Sequence, residues 1–188
     1  MAHYGSGTEY GLHCLLYLAQ PLAAPASSRD LAELQGISVS FLAKIFPKLE
    51  KAGIVTASEG IRGGYQLARP PGDISVLDVV DAIEGPKPLF DCQQIRSRCT
   101  LYEGQPPGWM TSGVCGIHAL MLRAEQSMRA ELAKTSLLDL AQGFGSVAPA
   151  GFGEDVQGWF SGRVQERSEA RIAAVRGPKT RRVKDDAA

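Results

Sequence analysis

Three cysteines in the second half of the chain are spaced Cys92-x6-Cys99-x15-Cys115, and His118 follows the last of them by three positions. Thiolates and an imidazole are the ligands that zinc and iron–sulfur clusters take. If Cys115 opens a helix, Cys115 and His118 stand at i and i+3 and project to the same side. No Cys-x-x-Cys pair is present, so spacing alone leaves two accounts open: a metal site, or three unconnected thiols. The surrounding segment favours a ligand. Residues 85–114 hold four of the eleven prolines (Pro86, Pro88, Pro106, Pro107) and show no clear period. An irregular stretch of that length gains order by wrapping a metal. The fourth cysteine, Cys14, sits among leucines and reads as a core residue. Glu9 and His13 are four apart, as in a helix-surface pair; Glu9 has a second reading as an oxygen ligand to the loop.

A second set of residues suits nucleic acid. Ser38, Ser40, Phe41 and Lys44 open a helical segment, where a recognition helix meets base edges and phosphates. Lys48 and Lys51 continue along it, and Arg62 falls at the tip of a glycine-rich turn. The same charges would also serve as a solvated surface, because six basic residues up to Asp73 are matched by six acidic ones. A cysteine near a histidine can also act as nucleophile and base. No Gly-rich phosphate loop, nucleophile elbow or zinc-protease helix accompanies the pair, so a cysteine-dependent enzyme is the weakest reading.

Elements must position these groups. Of 188 residues, 44% are hydrophobic and 21% charged, enough apolar material for a core, and twenty Lys+Arg balance twenty Asp+Glu. Apolar runs are far shorter than the roughly 18 residues of a membrane span. The first residues lack a basic stretch followed by an apolar one, so no secretory signal is expected. Unpaired thiols suit a reducing compartment. The expectation is a soluble, cytoplasmic protein with no membrane partner.

Helical spacing runs through the first 20 residues, with Thr8 as the expected cap. Ser27 or Ser28 caps a short helix over residues 29–35, which Gly36 closes. Ser38 caps a third, in which Phe41, Leu42, Ile45, Phe46 and Leu49 recur and Pro47 should introduce a bend. Two strand-like runs, residues 54–56 and 64–67, flank a polar turn, and Ser75 caps a helix over residues 76–84. That order is a winged helix-turn-helix: a mainly α fold with a small β-hairpin wing. A long helix follows from about residue 114 to residue 132, with Ile117, Leu120, Met121, Ala124 and Met128 on one face. The expected divisions are a DNA-binding domain (1–84), an irregular loop (85–114), a long-helix region (115–142) and a flexible tail (143–188).

The pieces Thr8-Glu-Tyr-Gly-Leu, Leu31-Ala-Glu-Leu, Ile37-Ser-Val-Ser-Phe-Leu, Leu49-Glu-Lys-Ala-Gly-Ile-Val, Arg62-Gly-Gly-Tyr-Gln-Leu and Ile74-Ser-Val-Leu-Asp-Val-Val-Asp-Ala-Ile-Glu-Gly carry a resemblance. In that order they resemble the Rrf2 family of bacterial winged-helix repressors and activators, which includes the IscR, NsrR, RirA and RsrR types. The resemblance covers about residues 5–135. It implies a homodimer on the long antiparallel helix, a cluster held in the loop before it, and affinity for a palindromic double-stranded operator set by cluster state. Cys92, Cys99 and Cys115 match the family's three cysteines. Cys115-Gly-Ile-His118 is similar to the IscR pattern, in which that His is the fourth ligand. Glu9 matches an acidic position that, in the NsrR and RsrR types, reaches the cluster from the partner subunit. Gln35 stands where RsrR-type regulators carry a His, and the gap before Cys115 is wider than in the IscR and NsrR types. The expected function is a DNA-binding transcription regulator sensing redox, nitric oxide or iron–sulfur status, with a 2Fe-2S cluster favoured over 4Fe-4S. The alternatives are a zinc-binding or cluster-free thiol-sensing regulator of the same fold, and the enzyme.

Overall fold

The computed structural model describes residues 3–22, 24–60 and 63–176, which are mainly helical with one two-stranded antiparallel hairpin. Helix α1 (Ser6–Leu18) begins at Gly5, three residues before the expected cap. Thr8 is instead buried in its first turn and donates its hydroxyl to Glu84 at 3.0 Å. Helix α2 (Ser28–Gln35) starts at Ser27, whose hydroxyl accepts the Asp30 N–H, and ends at Gly36. Helix α3 (Val39–Lys51) turns Leu42, Ile45, Phe46 and Leu49 inward. It runs unbroken across Pro47, whose ring is exposed.

Strands β1 (Val55–Ser58) and β2 (Gly64–Leu67) pair from Val55↔Leu67 to Ser58↔Gly64. The wing is pinned to the body by two backbone bonds between Ala26 and Tyr65, at 3.0 and 2.8 Å. A Cβ on Gly64 would lie 2.5 Å from the Ala26 carbonyl carbon, so only glycine permits this approach. Helix α4 (Val76–Glu84) is opened by a capping box between Ser75 and Asp78. It packs so closely on α1 that a Cβ on Gly11 would meet the Ile83 side chain at 2.4 Å. The core between these elements is filled by Leu15, Leu31, Leu42, Phe46, Leu49 and Val79, all fully buried. Each such side chain stabilises the fold by about 1.5–3 kcal/mol.

After the short helix α5 (Gly108–Thr111), α6 (Gly116–Lys134) runs antiparallel to α4. Its C-terminal half lies along α4: Arg129 makes two bonds to Asp81 (2.9 and 2.7 Å), and Glu125 accepts the Leu89 N–H at 3.0 Å. The N-terminal half extends past the end of α4, leaving Ile117 63% and Leu120 54% exposed. Met121 and Met128 are half-buried, so the single apolar face expected from the sequence divides into two. Helix α7 (Leu137–Val147) returns the chain to the start of α4, where Leu137 is fully buried and its N–H bonds the Ile74 carbonyl at 2.9 Å. Among the described residues no helix is long and apolar enough to cross a membrane.

The expected flexible tail is corrected over most of its length. Residues from 143 complete α7, and α8 (Phe152–Arg176) packs back onto the winged domain. Val156 and Phe160 are buried there, and Trp159 stacks under the Arg163 guanidinium, 5.5 Å from the ring centroid. Arg163 and Arg167 both reach Asp30 of α2, which is only 2% exposed. Residues 177–188 lie outside the described residues. A buried carboxylate stripped of its cations is costly. The Arg163→Ala/Arg167→Ala double variant should therefore lose about 3–5 kcal/mol in urea unfolding. Glu166→Ala, at an exposed partner of Arg163, should change stability by less than about 0.5 kcal/mol.

Candidate functional site

The loop after α4 is not featureless. Two 3-10 turns, Ile95–Arg98 and Thr100–Tyr102, precede α5. Gln94 and Glu103 take left-handed backbone conformations (φ 50° and 47°), which non-glycine residues seldom adopt and which tend to mark functional segments. The guanidinium of Arg96 gathers the loop. It donates to the carbonyls of Thr111 (3.2 Å), Ser112 (3.4 Å) and Gly113.

A cavity of about 490 Å³ opens between residues 90–96 and the start of α6, lined by Phe90, Cys92, Arg96, Cys115, Ile117 and His118 among others. Cys92, Cys99 and Cys115 are all half-buried free thiols. Cys99 is not part of the cavity lining, and Glu9 stands exposed on α1. The structure thus brings Cys92, Cys115 and His118 to one cavity and leaves Cys99 and Glu9 outside it. Among the described residues no three His, Cys, Asp or Glu side chains converge closely enough to hold a metal ion.

Cys115 is the N-cap residue of α6. Its thiol is drawn below the ordinary cysteine value by the backbone N–H groups of His118 and Ile117, and further by the Arg96 charge. The sulfur forms no full cap hydrogen bond, so this is attraction toward the open N–H groups of a helix start. Cys14 is the opposite case: burial pushes its thiol up to about 12, as suits a core residue. The Arg96 Nε–H is itself buried without an acceptor in the protein. Two thiols, an imidazole and a guanidinium form a lining that fits an anionic, sulfur-rich group.

The described residues among those expected to meet DNA lie at the start of α3, apart from this cavity. Ser38 and Lys44 are exposed, and the Ser38 hydroxyl pairs with that of Ser40 at 2.9 Å. Phe41 also packs its ring edge-on against Tyr10, 5.5 Å between centroids, and so joins α3 to α1. Lys48 is not free for DNA, because its Nζ donates to the Ile83 carbonyl at 2.6 Å. Arg62 lies outside the described residues. Sequence reasoning missed Arg96 and the inward tie of Lys48; two arginines between Cys92 and Cys99 were the only hint of the first.

A helix-turn-helix with a hairpin wing defines the winged-helix class of regulators. The Rrf2 family model, described as "Iron-dependent Transcriptional regulator", matches residues 4–143, and the chain belongs to that family. It is 41% identical over 93 residues to Protein rrf2 of Nitratidesulfovibrio vulgaris, covering 49% of this chain and 62% of that protein. The match therefore spans less than two thirds of that relative. Among solved structures, IscR of T. potens superposes with a TM-score of 0.59 at 26% identity, over 80% of this chain and 95% of the other. CymR (YrzC), the global cysteine regulator of B. subtilis, gives the same TM-score at 24% identity, over 76% and 98%, and speaks to fold alone. Family and neighbours are regulators rather than enzymes. Helix α8 lies beyond the matched residues.

The two thiol environments should be separable chemically. A lowered thiol holds more thiolate at a given pH, so alkylation of Cys115 in the metal-free protein should begin at lower pH than for an ordinary cysteine. Cys14 should stay unmodified until denaturant is added. Peptide mass spectrometry across a pH series checks both, and equal labelling of the two would contradict this account.

Proposed function

We propose that this Rrf2-family regulator binds a palindromic double-stranded operator as a homodimer, and that an iron–sulfur cluster on Cys92, Cys99 and Cys115 sets its affinity. A 2Fe-2S cluster is the favoured form. The observation that carries the reading is the cavity: two of the three thiols and His118 line it, at the junction of the loop with α6. The family's iron-dependent description and the Cys115-Gly-Ile-His118 pattern support the same assignment. When bound, such a cluster supplies a redox-sensitive cross-link among loop thiols. Within one chain His118 is the better fourth ligand, since Glu9 is exposed on α1 and would serve only from a partner protomer.

The chain's own contacts provide the route to DNA. The loop leaves α4 at Gly85, directly after the turn whose Ile83 carbonyl holds Lys48 of α3 and whose Glu84 carboxylate holds Gly5 and Thr8 of α1. Ser38, Ser40, Phe41 and Lys44 on α3, with Arg62 from the wing, are the proposed DNA contacts. The exposed Ile117 and Leu120 on the projecting half of α6 suit the dimer contact. A second reading has its own support. The lowered Cys115 thiol, in a region where no three ligands converge among the described residues, also suits a regulator that senses oxidants through the thiol itself.

Anaerobic purification with an iron and sulfide assay tests the assignment. The cluster reading expects broad visible absorbance that Cys92→Ala and Cys115→Ala both abolish, together with a changed operator affinity. Colourless protein with intact thiols and an oxidant-dependent affinity selects the second reading, and stoichiometric zinc selects a zinc site.

Two surface variants test the DNA half. Lys44→Ala should cost about 1–3 kcal/mol of operator binding and relax sequence preference. Leu120→Asp should sediment as a monomer and lose specific binding, because one recognition helix reads only a few base pairs. Wild-type behaviour of both would place the interface elsewhere.

A further inference from the structure

We propose that Arg96 is the positioning residue of the cavity: it folds the loop so that Cys92 and Cys115 line one cavity without any metal, and presents positive charge to the group bound there. The proposal rests on the cluster reading for the identity of that group. Its geometric part rests on the loop alone.

Cys92 and Cys115 are far apart in sequence, and the intervening residues must be folded back for both to line one cavity. Arg96 does this at a single point. Its two terminal nitrogens take the carbonyls of three consecutive residues, Thr111, Ser112 and Gly113, at the C-terminal end of α5. A cation there also meets the negative end of a helix. A planar guanidinium spreads its N–H groups over two terminal nitrogens in a fixed geometry; a lysine ammonium has three N–H groups on one atom of a flexible stem and holds the same carbonyls less rigidly. The residues between Cys99 and Cys115 are therefore a platform docked on Arg96, which gives the wide spacing of the cysteines a structural purpose.

The place of Arg96 in the cavity wall points to a ligand. Arg96 lines the cavity beside both thiols, and its Nε–H is buried with no acceptor in the protein. The guanidinium therefore stands in the wall of the cavity with part of its hydrogen-bonding capacity unused by the protein. The guanidinium also stays protonated in any protein environment, so it offsets the negative charge of a thiolate-held cluster. Arg96 thus acts both on the shape of the site and on the stability of an anionic occupant.

The test compares wild type, Arg96→Gln and Arg96→Lys as full-length protein, first metal-free and then reconstituted anaerobically with iron and sulfide. In the metal-free state, hydrogen exchange across residues 108–115 should be several-fold faster in both variants, while α1 to α4 exchange as in wild type. That control separates a loosened loop from a general failure to fold. After reconstitution, Arg96→Gln should lose its visible absorbance to a chelator at least about tenfold faster, the usual scale for an outer-shell partner. Its midpoint potential should move to more negative values, because a charge that favours the reduced cluster is gone. Arg96→Lys should recover most of the potential but not the exchange protection. If wild type takes up no iron and sulfide, the cluster reading falls and the exchange comparison alone decides: faster exchange in the variants upholds the positioning role, unchanged exchange overturns it. A wild type that holds a cluster, with exchange, chelator loss and potential equal in all three proteins, overturns the proposal and leaves the cluster reading standing.

Discussion

The last turn of α4 holds three other parts of the molecule at once. The Ile83 side chain presses against the bare face of Gly11, and its carbonyl accepts Lys48 from α3. The next residue, Glu84, takes the Gly5 N–H and the Thr8 hydroxyl through one carboxylate oxygen and pairs with Lys87 through the other. That ion pair first, with the Gly5 and Thr8 bonds adding to it, keeps the carboxyl below the usual carboxylate range. Helix α3, which carries the proposed DNA contacts, helix α1 and the first residue of the cysteine loop therefore share one rigid point. Any reorganisation of the loop meets the winged domain there.

The junction on the other side of α4 is built differently. Helix α6 has no fully buried residue, and its main tie to α4 is the Arg129–Asp81 pair, each side chain about a third exposed. Exposed ion pairs contribute roughly 0–1 kcal/mol, whereas each core leucine or phenylalanine contributes about 1.5–3. The stiff side of the loop is thus its entry from α4, and the yielding side is its exit into α6. An element that must shift with the state of its loop is better placed on the yielding side.

Much of the winged domain was legible in the sequence because its signals are local. The inward repeat of Leu42, Ile45, Phe46 and Leu49, the Ser27 cap and the Ser75–Asp78 capping box each lie within one element. The long helix was legible too, but not the split of its apolar face, which depends on where α4 ends. Helix α8 was hidden for two reasons. Gly153, Gly158 and Gly162 give its sequence the look of a loop, and what holds it, Asp30 with Arg163 and Arg167, is distant in sequence. The cysteine loop offered candidate ligands in its sequence but not their geometry. Cys92, Cys115 and His118 meet at one cavity while Cys99 does not, an outcome set by turns and by Arg96 rather than by spacing.

The contact between α8 and α2 also bears on the order in which the chain acquires its structure. Asp30 and Arg167 are 137 residues apart, so the carboxylate of α2 finds its cation only after the whole winged domain and α6 have been made. Contacts of such separation close late, after local helices and the hairpin have formed. A nascent chain on the ribosome therefore displays Ser38, Ser40 and Lys44 on a nearly complete domain whose second helix still lacks its partner. Docking of α8 is then the step that supplies the second helix with its cations.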